Sequence, residues 1–397
     1  MDDSALTRLF VGLGIGRETA WLAATIVHAA IVVHFFAVCP VIFIWLERKV
    51  AGRIQDRLGP TRVGGKFGWL QSVADGIKLV QKEDLCPATA DAWLFKAAPF
   101  IVFTGSFAAF ISLPWSDGWS PLELDAGLFF ILAVMSVEVV GVIFGGYASG
   151  SKWSLFGGMR EAAQVVSYEI PMALCAMVPV AVAGTLNVTE IGRMQAGGFW
   201  NWFVFRDPFC LIAFFAYFIV ATAGVKRAPF DLAEAESELV AGFHTEYSGI
   251  RWSFFFMAEY ASMFAVSGLA ALLFLGGWHS GLAFGADPLP ADGVWGWLWS
   301  AAGFGVFVAK ASALVFVQMW ARWTLPRLRI DQVLATCLKY LLPIGCALLV
   351  GACAWPLVVY QASAALHEGR GRTVLFGPAL GETRAASLAK SAGLDER

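Results

Sequence analysis

Residues 210–277 read CLIAFFAYFIVATAGVKRAPFDLAEAESELVAGFHTEYSGIRWSFFFMAEYASMFAVSGLAALLFLGG. Two almost wholly apolar runs flank a connector that carries five carboxylates: Asp231, Glu234, Glu236, Glu238 and Glu246. Runs of about 20 apolar residues match the thickness of a hydrocarbon core, so each reads as a membrane-spanning helix. The rest of the chain repeats the pattern. Its 397 residues are 58% hydrophobic and only 15% charged, with a mean hydropathy of +0.67, whereas soluble domains carry about 25% charged residues. The fold class is an all-α polytopic membrane protein.

Eight transmembrane helices are expected, at about 20–46, 94–112, 127–147, 165–186, 208–225, 253–276, 298–317 and 338–360. Basic residues orient them. The connector after the first span (47–93) together with Lys96 holds Arg48, Lys49, Arg53, Arg57, Arg62, Lys66, Lys78, Lys82 and Lys96, while the short connectors on the other side hold only Arg193 and Arg206. The positive-inside rule makes the basic connectors cytoplasmic and puts both termini outside. The polar tail 366–397 is expected to be flexible, and no cleavable signal segment is evident at the start.

Within 47–93, Phe67, Leu70, Val73, Ile77 and Val80 recur at helical spacing with Gln71, Asp75, Lys78 and Lys82 opposite. The pattern predicts an amphipathic interfacial helix of about four turns after the first span. It either lies in the membrane surface or roofs a pocket and offers Asp75 to it.

Ionisable residues inside spans are costly, on the order of 3 kcal/mol each by insertion scales, and they mark ion or proton routes. Glu138, Glu169, Glu259 and Lys310 are such residues. If Asp231–Glu238 is helical, Asp231, Glu234 and Glu238 share a face, where like charges destabilise one another unless cations or water intervene. The seven cysteines show no CxxC spacing and the five histidines are scattered, so no metal or iron–sulfur site is expected here. Nothing points to nucleic acid.

The blocks ERKVAGRIQDRLGPTRVGG…ADGIKLVQKE (from Glu47), SGSKWSLFGGMREAAQVVSYEIP (from Ser149), RAPFDLAEAESELVAGFHTEYSG…FFFMAEY (from Arg227) and RWTLPRLRIDQVL…KYLLP (from Arg322) stand in fixed order. Together they resemble the family of NADH-quinone oxidoreductase (respiratory complex I) membrane subunits whose mitochondrial counterpart is NADH dehydrogenase subunit one. The resemblance implies a membrane subunit of the bacterial cytoplasmic (inner) membrane that forms the membrane end of a quinone tunnel. It would couple reduction of ubiquinone or menaquinone to proton translocation, with no complete active site of its own. It implies no covalent or metal cofactor in this chain; flavin and iron–sulfur clusters belong to partner subunits. Partners would be hydrophilic-arm subunits flanking the cavity and the terminal iron–sulfur cluster, small membrane subunits, antiporter-like subunits and lipid.

By position, the resemblance assigns Glu47, Arg48, Arg57, Asp75, Trp252 and Phe256 to the quinone tunnel. Asp231, Glu234, Glu236, Glu238 and Glu246 form an acidic coupling loop within 226–250. Glu169 and Glu259 belong to a proton route. Arg160, Arg322, Arg327 and Arg329 are structural or interfacial. Many members carry a Glu three residues before the Arg of RxPFD; here that position is Gly224, and Glu138 is expected to replace it in space. The alternatives are a membrane subunit of a related energy-converting hydrogenase-type complex or a stand-alone ion-coupled transporter.

Overall fold

The computed structural model describes residues 5–117, 119–282 and 293–367. It divides into two units, Met1–Ala352 and Cys353–Arg397; the described part of the second is the end of the last helix. The tail 368–397 lies outside the described residues, so the expectation of flexibility there has no structural counterpart.

Among the described residues every regular element is helical. The α-helices in order are α1 (Ala5–Gly12), α2 (Arg17–Ile54), α3 (Gln71–Gln81), α4 (Ala92–Ser112), α5 (Gly127–Ala148), α6 (Lys152–Ala183), α7 (Val188–Met194), α8 (Phe203–Arg206), α9 (Pro208–Gly224), α10 (Glu236–Leu239), α11 (Gly249–Phe274), α12 (Gly293–Thr324), α13 (Ile330–Leu334) and α14 (Leu342–His367). A π-helical turn, Ala335–Leu341, joins the last two.

Seven of these helices, counting α13 through α14 as one, are long and apolar enough to cross a membrane. The expected fifth span, 208–225, appears as the 17-residue α9. At 1.5 Å per residue it covers about 26 Å, a little less than a hydrocarbon core of about 30 Å. Its start is fixed chemically: the Asp207 carboxylate accepts the amides of Phe209 and Cys210, and Pro208 takes the first turn, where its missing N–H costs nothing.

α11 is the hub. Its most apolar window is 89% buried, against 28% for α2 and 22% for α12, and it packs on α2, α4, α9 and α12. Without a hydrophobic force between helices in lipid, close packing needs small residues. α4 and α5 supply them: a Cβ at Gly141 would meet the Val102 amide nitrogen at 2.9 Å, and one at Gly105 would meet the Glu138 nitrogen at 3.0 Å. The second contact seats Ser106 beside the Glu138 carboxylate.

Two local expectations are corrected. The amphipathic helix is α3, 11 residues and about three turns, because Gly68 adopts φ +67°, and a Cβ there would strike the Pro60 carbonyl at 2.4 Å. α6 begins at Lys152 rather than near 165, so Arg160 stands on a helix and not in a loop.

Candidate functional site

The acidic connector is not a helix across Asp231–Glu238. Only Glu236–Leu239 is helical; residues 227–235 run as turns and extended chain. The physical reason is that other elements claim its backbone. Gln164 of α6 donates to the carbonyls of Ala223 (2.8 Å) and Phe230 (3.0 Å), and the Leu328 amide donates to the Pro229 carbonyl at 2.9 Å. The acids are thereby dispersed instead of stacked on one face. Asp231 pairs with Arg327 at 2.9 Å, Glu234 faces His244 at 3.7 Å, and Glu238 pairs with Arg160 at 2.6 Å. Glu246 is half-buried with no ion-pair partner among the described residues. The Glu236 side chain lies outside the described residues.

Deeper in, the connector's first residues join the spans. Glu47, at the inner end of α2, receives Arg322 at 2.6 Å, the Tyr260 hydroxyl at 2.7 Å and Arg227 at 3.4 Å. Arg227 also meets Glu259 at 2.8 Å and lies 4.2 Å above the Tyr260 ring. Lys226 meets Glu138 at 2.8 Å, and that carboxylate also accepts the hydroxyls of Ser106 (2.9 Å) and Ser262. These side chains, Arg322 excepted, are almost fully buried: Glu47, Glu138, Glu259 and the Lys226–Arg227 pair are each 2–6% exposed.

Lys226 and Arg227 are made cationic by their company. Burial works against charge on both. Around Lys226, Glu138 and Glu161 outweigh it, and around Arg227, Glu259 and Glu47 do; both pKa values are raised. Glu234 goes the other way: burial first, then the Glu259 and Asp231 carboxylates, hold it well above the usual carboxylate range. Burial lowers His244 to about 4, helped by Lys226. Glu234 and His244 therefore face each other as neutral groups, not as an ion pair.

α11 carries a line of rings to this cluster. Trp252 and Phe256 stack at 4.7 Å and 22°, Phe256 meets Tyr260 edge-on at 5.0 Å, and His244 stands 6.2 Å from Trp252. The spacing of four residues places all three on one helix face. Tyr260 is the junction, its hydroxyl on Glu47 and its face under Arg227.

Other expected residues sit apart from the network. Arg48 pairs with Asp75 of α3, and Arg57, exposed, bonds Gln55. Arg329 is exposed and its backbone amide donates to Gln332. Glu169 is half-buried and has no hydrogen-bond partner among the described residues. Glu138 meets the chain at Lys226, two residues beyond Gly224, while a Cβ at Gly224 would face the Tyr168 ring at 3.2 Å. Lys310 turns to the end of α11, donating to the carbonyls of Leu275 and His279 and lying 4.0 Å over the Trp202 ring.

Sequence reading missed Lys226 and Arg227 as network members, and missed Glu161 altogether. Glu161 is wholly buried and neither carboxylate oxygen has a hydrogen-bond partner among the described residues. Its signal was the polar pair Glu161–Gln164, three residues apart and so on one helix face.

Seven apolar helices and an ion network that is buried, many-membered and mostly acidic define a class: a multi-pass membrane protein built to hold ionisable groups in its interior. The family model described as NADH dehydrogenase matches residues 27–353. Among curated relatives, the H subunit of NADH-quinone oxidoreductase from Anaeromyxobacter dehalogenans is 43% identical, over 88% of this chain and 86% of its own length. The proteins of the same name from Chlorobium luteolum (44%; 84% and 90%) and Geobacillus thermodenitrificans (45%; 75% and 84%) are equally similar. The chain belongs to the NADH dehydrogenase family of membrane subunits.

Proposed function

We propose that this chain forms the membrane part of a quinone site in a proton-pumping NADH-quinone oxidoreductase and couples quinone reduction to proton movement. One observation carries the reading. The ring line Trp252–Phe256–Tyr260 ends on Glu47, Arg227, Glu259 and Arg322. An apolar surface for a flat ring and an isoprenoid tail thus abuts a charge-sensitive cluster. Reduction of a quinone to a quinol takes two electrons and two protons, so charge appears at the end of that line before it is neutralised. Carboxylates and cations packed at 2.6–3.4 Å respond to such a charge by exchanging protons and partners.

In this reading Arg48, Arg57 and Asp75 belong to the mouth of the tunnel, and α3 roofs it. Val73, Ile77 and Val80 of α3 are 43%, 55% and 66% exposed, an apolar face suited to the membrane surface. Electrons come from an iron–sulfur cluster in a hydrophilic-arm subunit seated over the basic inner connectors, and ubiquinone or menaquinone is the substrate. Antiporter-like and small membrane subunits receive the coupled signal. The chain sits in a bacterial cytoplasmic membrane, with α9 as an eighth span and both termini outside.

A photoreactive short-chain quinone added to the intact complex tests this. Labelling is expected within the α11 stretch around Trp252–Phe256 and is competed by unlabelled quinone. Labelling confined to other subunits would overturn the placement. Glu259→Gln is expected to lower protons pumped per NADH in vesicles more than it lowers quinone reduction; equal loss of both would remove the coupling role.

A further inference from the structure

Lys226 occupies a position that its backbone resists. It adopts φ +56°, a left-handed conformation that is strained for a residue bearing a Cβ. It is 3% exposed, and its long stem carries the ammonium to Glu138. A strained backbone and a buried cation together are expensive to keep unless the ammonium is needed where it stands.

A second acid acts on the same ammonium without reaching ion-pair distance among the described residues. After Glu138, Glu161 is the carboxylate that acts most strongly on Lys226. The neighbours of Glu161 on α6 fix its direction. Gln164, three residues on, holds the carbonyls of Ala223 and Phe230 on either side of Lys226. Gly157, one turn back, packs on the Ala233 carbonyl and the Phe243 nitrogen. Glu161 therefore points into the connector, fully buried, with both oxygens unpartnered among the described residues. Charge on a wholly buried carboxylate with no cation at ion-pair distance is costly, so the proton is assigned to Glu161 while Lys226 is on Glu138.

We infer that Lys226 is a shared cation, handed from Glu138 to Glu161 as a proton crosses from Glu161 to Glu138. Before the exchange Glu138 is ionised and paired, and Glu161 is protonated. Afterwards Glu161 is ionised and paired, and Glu138 carries the proton among the Ser106 and Ser262 hydroxyls. One proton and one ammonium change places, and the net charge of the pocket is conserved. The other charged or titratable groups around the pocket are Arg227, Asp231, Glu234 and His244 of the connector, Glu259 of α11, Glu47 of α2 and Tyr168 of α6. A charge arriving at the Arg227 end biases the exchange through Glu259. The inference rests on the coupling role proposed above and adds to it a specific exchanging pair.

The test is reaction-induced infrared difference spectroscopy of the intact complex on NADH addition. Wild type is expected to show one protonated-carboxyl band lost and another gained. Glu161→Gln removes both, because Glu138 then has no proton donor and keeps Lys226 throughout. Glu138→Gln removes both, because Lys226 then rests on Glu161 throughout. Lys226→Met also removes both, while Lys226→Arg, which keeps a cation, restores them in part. Bands that persist in Lys226→Met, or that are absent from wild type, overturn the shared cation. Where a single variant fails to assemble, Lys226→Met with Glu138→Gln leaves no unpaired buried charge and must likewise lack both bands; if they remain, the inference falls. Proton pumping by Glu161→Gln in vesicles tests the coupling role separately, since unchanged pumping removes that role whatever the spectra show.

Discussion

Arg227→Met is the perturbation that the network's geometry makes most readable. The guanidinium is 2% exposed and divided between Glu47 at 3.4 Å and Glu259 at 2.8 Å, with its face on Tyr260. Breaking a buried pair by removing one partner costs about 3–5 kcal/mol, because a charge is left uncompensated. The two acids do not suffer equally. Glu47 keeps Arg322 at 2.6 Å and the Tyr260 hydroxyl at 2.7 Å, so the orphan is Glu259. The lost cation–π contact adds up to about 2 kcal/mol in a desolvated site. The expected loss is thus about 3–7 kcal/mol, dominated by Glu259. A membrane subunit in a complex does not unfold in two states, so the measurement is the fraction of intact complex surviving a graded heat step. Arg227→Met should survive least. Arg227→Met with Glu259→Gln, which leaves no unpaired charge there, should recover most of the loss, a non-additivity beyond the few tenths of a kcal/mol seen for independent sites. Arg227→Lys should fall between, because an ammonium lacks the fork to serve both acids. A double variant as weak as the summed singles would refute the assignment of the loss to Glu259.

Three further outcomes follow from particular contacts. His244 titrates near 4 instead of 6.5 because it is buried; the unfolded chain binds the extra proton between those values, so this stability is complete above pH 6.5 and drains away toward pH 4. The shift bounds the effect at about 3 kcal/mol, and His244→Asn should flatten the heat-survival profile of the complex over that window; an unchanged profile removes His244 as its source. Trp252→Ala breaks the stack on Phe256 at 4.7 Å, worth about 0.5–1.5 kcal/mol, and should raise the KM for quinone about two- to tenfold with kcat little changed. A Cβ at Gly157 would meet the Phe243 nitrogen at 2.5 Å and the Ala233 carbonyl at 2.9 Å, both backbone, so Gly157→Ala should open residues 226–250 to limited proteolysis; Gly158→Ala, with nothing nearer than 3.4 Å, should not.

The helices were legible because each carries its own signal. The short α7, capped by Asn187, was not read from the sequence, whereas apolar length needs no tertiary information. Carboxylates at Glu138 and Glu259 stood out against apolar neighbours for the same reason. What a single sequence does not carry is which distant residues share a pocket. Glu47 and Arg322 are 275 positions apart, and Lys226 and Glu138 are 88. The connector misled because its acids fall at helical spacing, whereas its backbone is claimed from outside by Gln164 and Leu328. Glu161 was hidden because GGMREAAQ lies ahead of the expected span at 165–186, whereas α6 extends through it.

The network's charge count decides how it responds. Glu47, Glu138, Glu161, Asp231, Glu234 and Glu259 stand against Lys226, Arg227, Arg322 and Arg327. Six acids and four lasting cations leave two acids over, and two have no Lys or Arg at ion-pair distance among the described residues: Glu161 and Glu234. Neutrality in a poorly polarisable interior is met if those two keep their protons. Such a cluster is a poor choice for stability alone, since apolar residues of similar volume serve as well or better. Its distinguishing property is that the two spare protons can be redistributed. A unit charge about 8 Å from one acid interacts with it by about 2 kcal/mol at an effective dielectric constant of about 20, a roughly thirtyfold change in proton occupancy. A charged quinone species at the Tyr260 end of the ring line would act at this scale on Glu259 and Glu47 first. Lys226, held in strain between Glu138 and Glu161, is where that bias would become a moved proton.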